Sequence, residues 1–239
     1  MLIRQKCLGS CVYLGGVPAI LEEFSFAFLQ MALYSNEYLT IPGRTYIHYD
    51  RSKVSYHAKA RNELCQHMLG DWILMLDADH IPDPDLLARM YRLYTKYKLN
   101  VLCGIYQIKV YPYPPLLYTW NEDFTDFVLM GSFDNPNKAE IFEIGAAGAG
   151  CLMISRETIY RILNELGERP FDVTKQEGGK LPLSEDLSFF KRCHDLGITC
   201  YAAANVECPH TIIQPLTMSM SKVKESGMKM ESFYTEGLI

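Results

Sequence analysis

The chain has 239 residues, 49% hydrophobic and 21% charged, which suits a globular protein burying a substantial core in one large α/β domain. Its 23 basic and 28 acidic residues give a net charge of −5, which excludes bulk attraction to nucleic acid as the main source of affinity but leaves room for a local basic groove. No stretch reaches about 18 uninterrupted apolar residues, and Met1-Leu2-Ile3-Arg4-Gln5-Lys6 runs into a strand without a signal-peptide core, so a soluble, cytoplasmic protein without a membrane partner is expected.

Lys6 to Leu14 reads as a first strand, Gly15-Gly16 as a tight loop, and Pro18 as the opening of a helix with Ile20, Phe24, Phe28 and Met31 on one face. Thr45 to Tyr49 reads as a second strand, leading through Asp50-Arg51-Ser52 into a helix that ends near Leu69-Gly70. Trp72-Ile73-Leu74-Met75-Leu76 is an unbroken apolar run, the pattern of a strand buried on both faces. Asp83 before Pro84 reads as the cap of the next helix, with Leu86, Met90, Leu93 and Tyr97 at helical spacing, and Val101 to Tyr106 gives another buried strand. This alternation predicts a parallel, doubly wound sheet.

Residues 107–141 are rich in Tyr, Pro, Asn and Asp and break the alternation, so they read as an excursion over one face. Order returns with Ile141–Ile144, a small-residue turn from Gly145 to Gly150, the strand Cys151–Ile154 and a helix from Arg156 to Leu166. A last helix, Leu187 to Leu196, is stopped by Gly197 before the strand Ile198–Ala202. The domain is expected to span 1–218, and residues 219–239 form a polar, methionine-rich tail that could be mobile or serve as a lid. The eight cysteines show no C-x-x-C pair and read as reduced core residues.

Asp77 and Asp79 directly follow the buried strand. This places two carboxylates at the carboxyl edge of a sheet, where open α/β folds bind ligands, and such a pair calls for a cation. With Asp83 assigned to the helix cap, neither has a structural duty. Arg61 is in line with Leu64, Cys65 and Met68 and so points inward, where its charge needs a carboxylate or a phosphate; an ion pair with Asp77 and a phosphate contact are both open.

Ser184-Glu185-Asp186 opens the last helix, where a serine cap and acids in the first turn are favourable in any protein; beside a metal site the same carboxylates could serve as general base. His210 follows Cys208-Pro209 just past a strand. Two aspartates and one histidine leave positions for water and phosphate oxygens, which suits Mn²⁺ or Mg²⁺ over a closed four-ligand zinc site. His48, His57, His67, His80 and His194 show no companion set and receive no role. Gly145 to Gly150 matches neither G-x-G-x-x-G nor a P-loop, but it would allow backbone approach to a bulky ligand.

In this order, Arg61-Asn62, Asp77-Ala78-Asp79, Gly148-Ala149-Gly150 before Cys151-Leu152-Met153-Ile154, Ser184-Glu185-Asp186 and His210 resemble the GT-A glycosyltransferases, in particular short family-2-like members of bacteria and bacteriophages. The resemblance implies a single GT-A-like, Rossmann-like α/β domain with a mostly parallel central sheet flanked by helices. It implies a nucleotide-sugar donor, a UDP-sugar before others, whose diphosphate is bound through Mn²⁺ or Mg²⁺ held by Asp79 and His210, with Asp77 facing the ribose or the cation. It places Asp50 at the base, Val12 and Tyr13 along its pocket, Arg61 on the acidic motif or the diphosphate, and Ala78, Gly148, Ala149 and Gly150 among the donor-binding positions.

For an inverting transfer Asp186 is the first choice of base and Glu185 the second; a retaining outcome is open, since the fold hosts both. The acceptor could be a saccharide, a small molecule or a hydroxylated base in phage DNA. A nucleotidyltransferase would show a basic glycine-rich loop near the first strand, and a two-metal phosphoesterase would need more His and Asp ligands. An inactive nucleotide-sugar-binding module would not need the base.

Overall fold

The computed structural model describes residues 5–14, 22–123, 126–131, 138–176 and 181–211; Gly15-Gly16, Pro18, Ile20 and the 219–239 tail lie outside the described residues. The elements in chain order are β1 (Lys6–Leu14), α1 (Glu22–Leu39), β2 (Thr45–Arg51), α2 (His57–His67), β3 (Trp72–Asp77), α3 (Leu86–Tyr97), β4 (Val101–Ile105), β5 (Leu117–Trp120), β6 (Phe127–Leu129), β7 (Ile141–Ile144), β8 (Ala146–Ala147), β9 (Cys151–Ser155), α4 (Arg156–Arg161), α5 (Glu185–Asp195) and β10 (Cys200–Glu207). A π-helical stretch, Ile162–Leu166, continues α4 and ends at Gly167.

The central sheet is seven-stranded in the order β2-β1-β3-β9-β4-β10-β7. Strands β1, β2, β3, β4 and β10 run one way, while β9 is antiparallel to both β3 and β4 and β7 is antiparallel to β10. The sheet is thus mostly parallel, but the fully parallel doubly wound arrangement is corrected by β9 at its centre. The reason is where β9 begins. The Asp77 amide donates to the Gly150 carbonyl (3.0 Å), so the excursion after β4 returns to the edge it left from, and a strand starting there runs backwards.

Strand β3 alternates between two core layers: Ile73 and Met75 face Leu64 of α2, Ile159 of α4 and Phe189 of α5, while Trp72, Leu74 and Leu76 face Phe24 and Met31 of α1 and Met90 of α3. Burial on both faces follows, with all five side chains at most 1% exposed. The segment at 107–141 left unassigned by pattern carries β5 and β6, which join β8 in a three-stranded antiparallel sheet in the order β6-β5-β8.

Asp83 does not cap α3. Asp85 holds the N-cap position without a side-chain bond, and the Asp83 carboxylate instead accepts from Arg89 Nη2 at 2.7 Å. The cysteines are all free thiols and, apart from half-buried Cys7, all buried. No helix among the described residues is long and apolar enough to cross a membrane.

Candidate metal and donor site

Strands β1, β2, β3, β4 and β10 end on one edge of the sheet, and the chemistry-bearing residues gather there. Past Asp77 the chain turns, and the segment leaving β10 is laced onto it: the Ile81 amide donates to the Pro209 carbonyl (2.9 Å) and the Thr211 amide to the Asp79 carbonyl (2.7 Å). This pairing brings the His80 and His210 rings together, tilted by 45°, at a centroid distance of 4.1 Å. Asp79, His80 and His210 each offer a ligand atom, and these atoms lie within 4.8 Å of one another.

The His210 ring is oriented by the chain beyond β4. Its Nδ1 lies 2.7 Å from the Gln107 carbonyl oxygen, which can only accept, so Nδ1 carries the proton and Nε2 keeps its lone pair, 4.0 Å from Asp79 Oδ1. Burial, helped by the His80 ring, lowers the His210 pKa and keeps it neutral, the form that binds a metal.

His80 is fully buried, with its ring edge-on to Tyr106 at 4.6 Å. Among the described residues neither of its nitrogens has a hydrogen bond; Nδ1 lies 3.2 Å from Asp79 Oδ1 without bonding alignment, and that oxygen too is buried without a hydrogen bond. Each such orphan costs about 1–3 kcal/mol, and a ring offers one nitrogen to any one ion, so Asp79 Oδ1 and one His80 nitrogen beside His210 Nε2 form a three-donor place for a ligand. The other Asp79 oxygen pairs with Lys109. Burial alone would raise the Asp79 pKa, but the His80 nitrogen and the Lys109 ammonium outweigh it and hold the group well below the usual carboxylate range. One carboxylate oxygen and two imidazole nitrogens fit a divalent cation.

Asp77 is engaged elsewhere. Arg61, 2% exposed, donates from Nη2 to both Asp77 oxygens (3.0 and 3.3 Å) and from Nη1 to the Ala149 carbonyl (2.9 Å), and its Nε lies 3.7 Å from Glu185 Oε1. Burial opposes its charge, but Asp77 and Glu185 outweigh that. Of the two partners open to Arg61 in the sequence, the carboxylate is the one in place, and the guanidinium ties together the end of β3, the 149 turn and the start of α5.

Gly148, Ala149 and Gly150 are buried under this network. A Cβ added to Gly148 would lie 2.1 Å from the Tyr106 hydroxyl oxygen, and one at Gly150 would lie 2.5 Å from His80 Cε1 and 3.0 Å from Asp77 Oδ2. These glycines let the turn press against protein side chains, with the Gly150 amide donating to the Tyr106 hydroxyl at 2.9 Å. Ala78, 8% exposed, packs in the layer facing α1 and α3.

Val12 and Tyr13 sit near the same edge, on opposite faces of β1. Val12 is 1% exposed within the layer of α2 and α5, and Tyr13 packs edge-on to Phe24 (5.2 Å) and Phe28 (5.0 Å). Asp50 lies across from Val12 on β2, with Oδ1 accepting the Arg51 amide at 2.8 Å.

In the first turn of α5 the acids differ. Glu185 Oε1 lies 3.6 Å from His57 Nδ1, and this contact first of all lowers the Glu185 pKa and raises that of His57. Asp186 Oδ1 accepts from the Ser184 hydroxyl and from the Leu187 amide (2.8 Å), yet burial outweighs both bonds and its pKa is raised.

The family model for glycosyl transferase family 2 matches residues 36–163, more than half of the chain. The chain belongs to glycosyl transferase family 2. The matched span of this glycosyltransferase contains Arg61, Asp77, Asp79, His80 and Gly150 and stops short of α5 and His210. Among solved structures, the crystal structure of GalNAc-T7 with UDP, GalNAc and Mn2+ is similar at a TM-score of 0.54 and 14% identity, covering 86% of this chain and 44% of that one. The family 2 chain thus spans less than half the length of that structure, and the likeness establishes the shared fold. The crystal structure of A197 from STIV matches at a TM-score of 0.43 and 16% identity over 87% of both chains. No curated protein sequence matches.

Three residues of this glycosyltransferase's site escape sequence reading. His80 and Lys109 gain meaning only beside Asp79, and His57 only beside Glu185. The adjacency of His80 to Asp79 was the one local signal available. Lys109 and His57 have their partners on other elements, so spacing along the chain does not reveal them.

Proposed function

We propose that this family 2 enzyme moves a sugar from a nucleoside diphosphate sugar, a UDP-sugar first, to an acceptor hydroxyl, with a divalent ion held by Asp79, His80 and His210. The observation that carries this reading is that Asp79, His80 and His210 each offer one ligand atom, within 4.8 Å of one another at the carboxyl edge of the sheet, with Asp79 Oδ1 and the His80 nitrogens buried and without a hydrogen bond among the described residues. Two imidazoles and one carboxylate favour Mn²⁺ over Mg²⁺, which prefers an all-oxygen shell. GalNAc-T7, which shares the fold, is crystallised with UDP and Mn2+. Bound here, the ion neutralises charge developing on the leaving diphosphate.

The chain's own residues do the rest. Arg61 fixes Asp77 and the Gly148 to Gly150 turn as a rigid floor, with Ala78 between the two aspartates, and Asp77 faces the donor's ribose across that floor. The β1 backbone at Val12 and Tyr13 and the Asp50 side chain, near the ends of β1 and β2, receive the nucleobase. Asp186 accepts the proton of the acceptor hydroxyl as its oxygen attacks the anomeric carbon; the bond to the diphosphate breaks with its electron pair leaving on the phosphate, which inverts the centre. Glu185, tied to His57 and Arg61, is the second choice of base. The acceptor is a saccharide, a small molecule or a hydroxylated base in DNA, and the enzyme acts in the cytoplasm.

The test is thermal stabilisation by a panel of nucleotides and nucleotide sugars, each with Mn²⁺ and with chelator, because a ligand of the native state raises its melting temperature. A rise with UDP or a UDP-sugar that chelator and Asp79→Ala both abolish is expected. No metal-dependent rise with any nucleotide would overturn the reading.

A further inference from the structure

We infer that Lys109 is the site's built-in counter-ion, holding the cation's place on Asp79 in the metal-free enzyme and passing to the donor's diphosphate once the metal is bound. This rests on the nucleotide-sugar reading above and assigns a residue that reading leaves unused.

Three acidic groups of the site have cationic neighbours, while Asp186 accepts from the Ser184 hydroxyl and the Leu187 amide. Asp77 is held by Arg61, Glu185 lies between Arg61 and His57, and Asp79 is left to Lys109. The two oxygens of Asp79 are divided: Oδ2 receives the Lys109 ammonium, while Oδ1 looks toward His80 and His210. On Asp79 itself, the carboxylate and the Lys109 ammonium cancel. A divalent ion at Oδ1 would then stand close to an ammonium on the same carboxylate, and the two cations repel each other. The ion therefore binds weakly alone. Two positive charges are left over, which a diphosphate offsets.

Lys109 is placed to follow the charge and cannot drift away. The backbone beside it is anchored to the site, since the Gln107 carbonyl accepts from His210 Nδ1 and the loop is closed by Ile108 amide to Pro114 carbonyl (2.9 Å) and Tyr113 amide to Val110 carbonyl (2.8 Å). The Lys109 side chain is 38% exposed, so its four methylenes can rotate while their root stays fixed. Once displaced from Asp79, the ammonium remains within side-chain reach of any anion carried by the metal. Metal and diphosphate accordingly bind with positive coupling, and Lys109 is part of what couples them.

The experiment titrates Mn²⁺ alone into the full chain, read by the electron paramagnetic resonance of free Mn²⁺, and then UDP by calorimetry at saturating Mn²⁺, for the wild type, Lys109→Gln, Lys109→Met and Lys109→Arg. Removing the ammonium should tighten Mn²⁺ alone by about tenfold and weaken UDP by about tenfold, the scale of one charge-assisted contact. Lys109→Arg should keep the wild-type values. Unchanged or weakened Mn²⁺ binding in both neutral variants would overturn the proposal, because damage to the loop cannot tighten a metal site. Absence of Mn²⁺ binding in the wild type and every variant would instead overturn the metal reading itself.

Discussion

The Gln107 carbonyl oxygen lies 2.7 Å from His210 Nδ1, and this one bond decides which nitrogen of His210 looks toward Asp79. A backbone acceptor fixes the tautomer as firmly as a carboxylate would, and no side-chain substitution at Gln107 removes it. Gln107→Ala should therefore leave Mn²⁺ affinity unchanged, whereas His210→Ala should lower it by at least about tenfold. Calorimetry on the two variants distinguishes these outcomes, and a large loss in Gln107→Ala would contradict the backbone role.

His80 gives the sharpest contrast between function and stability. Its nitrogens are buried without partners, so His80→Leu should stabilise the metal-free protein or leave it unchanged, by on the order of 1 kcal/mol, while removing Mn²⁺ binding. Urea denaturation in chelator, beside a Mn²⁺ titration, reads both effects. A strongly destabilised His80→Leu that still binds Mn²⁺ would make His80 a core residue only.

Arg61 holds three segments at once and is almost fully buried. Arg61→Met removes the partner of Asp77 and the donor to Ala149, and should cost about 3–5 kcal/mol, as breaking a buried ion pair from one side does. The urea midpoint reports the loss, and a change under about 1 kcal/mol would place Arg61 outside the structural network.

Gly150 can be tested by one methyl group. In Gly150→Ala the new Cβ would meet His80 Cε1 at 2.5 Å and Asp77 Oδ2 at 3.0 Å, so the ring must leave its position beside Asp79 and His210 or the turn must shift. Overpacking of this kind costs about 1–3 kcal/mol, and Mn²⁺ affinity should fall with it. Wild-type Mn²⁺ affinity in Gly150→Ala would show that the ring position is not what the site depends on.

The proposed role of Asp186 as base predicts a pH dependence. A general base works deprotonated, and burial raises this carboxyl's pKa, so activity should rise with pH along an acidic limb displaced above the ordinary aspartate range. Ser184→Ala removes a bond that favours the charged form and should move the limb to still higher pH. Asp186→Asn should abolish turnover with UDP affinity nearly intact. Pre-steady-state rates across pH decide this, and full activity in Asp186→Asn with none in Glu185→Gln would exchange the two roles.

Local pattern was enough for what depends on local pattern. The apolar run from Trp72 to Leu76 is readable as a doubly buried strand because every residue in it is apolar, and the position of Asp77 and Asp79 past its end follows from the 3.3 Å rise of an extended chain. The inward aim of Arg61 is readable from its helical spacing with Leu64, Cys65 and Met68, as is the start of α5 from Ser184-Glu185-Asp186. These determine an α/β sheet with an acidic, ligand-bearing edge.

What tertiary structure alone decided is direction and company. Cys151–Ser155 alternates the same way read from either end, so its antiparallel placement between β3 and β4 depends on where the long excursion returns, beside Asp77. The two aspartates look alike in sequence, yet Arg61 claims Asp77 while His80, His210 and Lys109 surround Asp79. Those partners lie up to 131 residues away along the chain, between Asp79 and His210, and only the pairing of the chain beyond β10 with the turn after β3 brings them together. Periodicity records which face of an element is buried, whereas a site is made by which distant elements meet, and no local spacing carries that information.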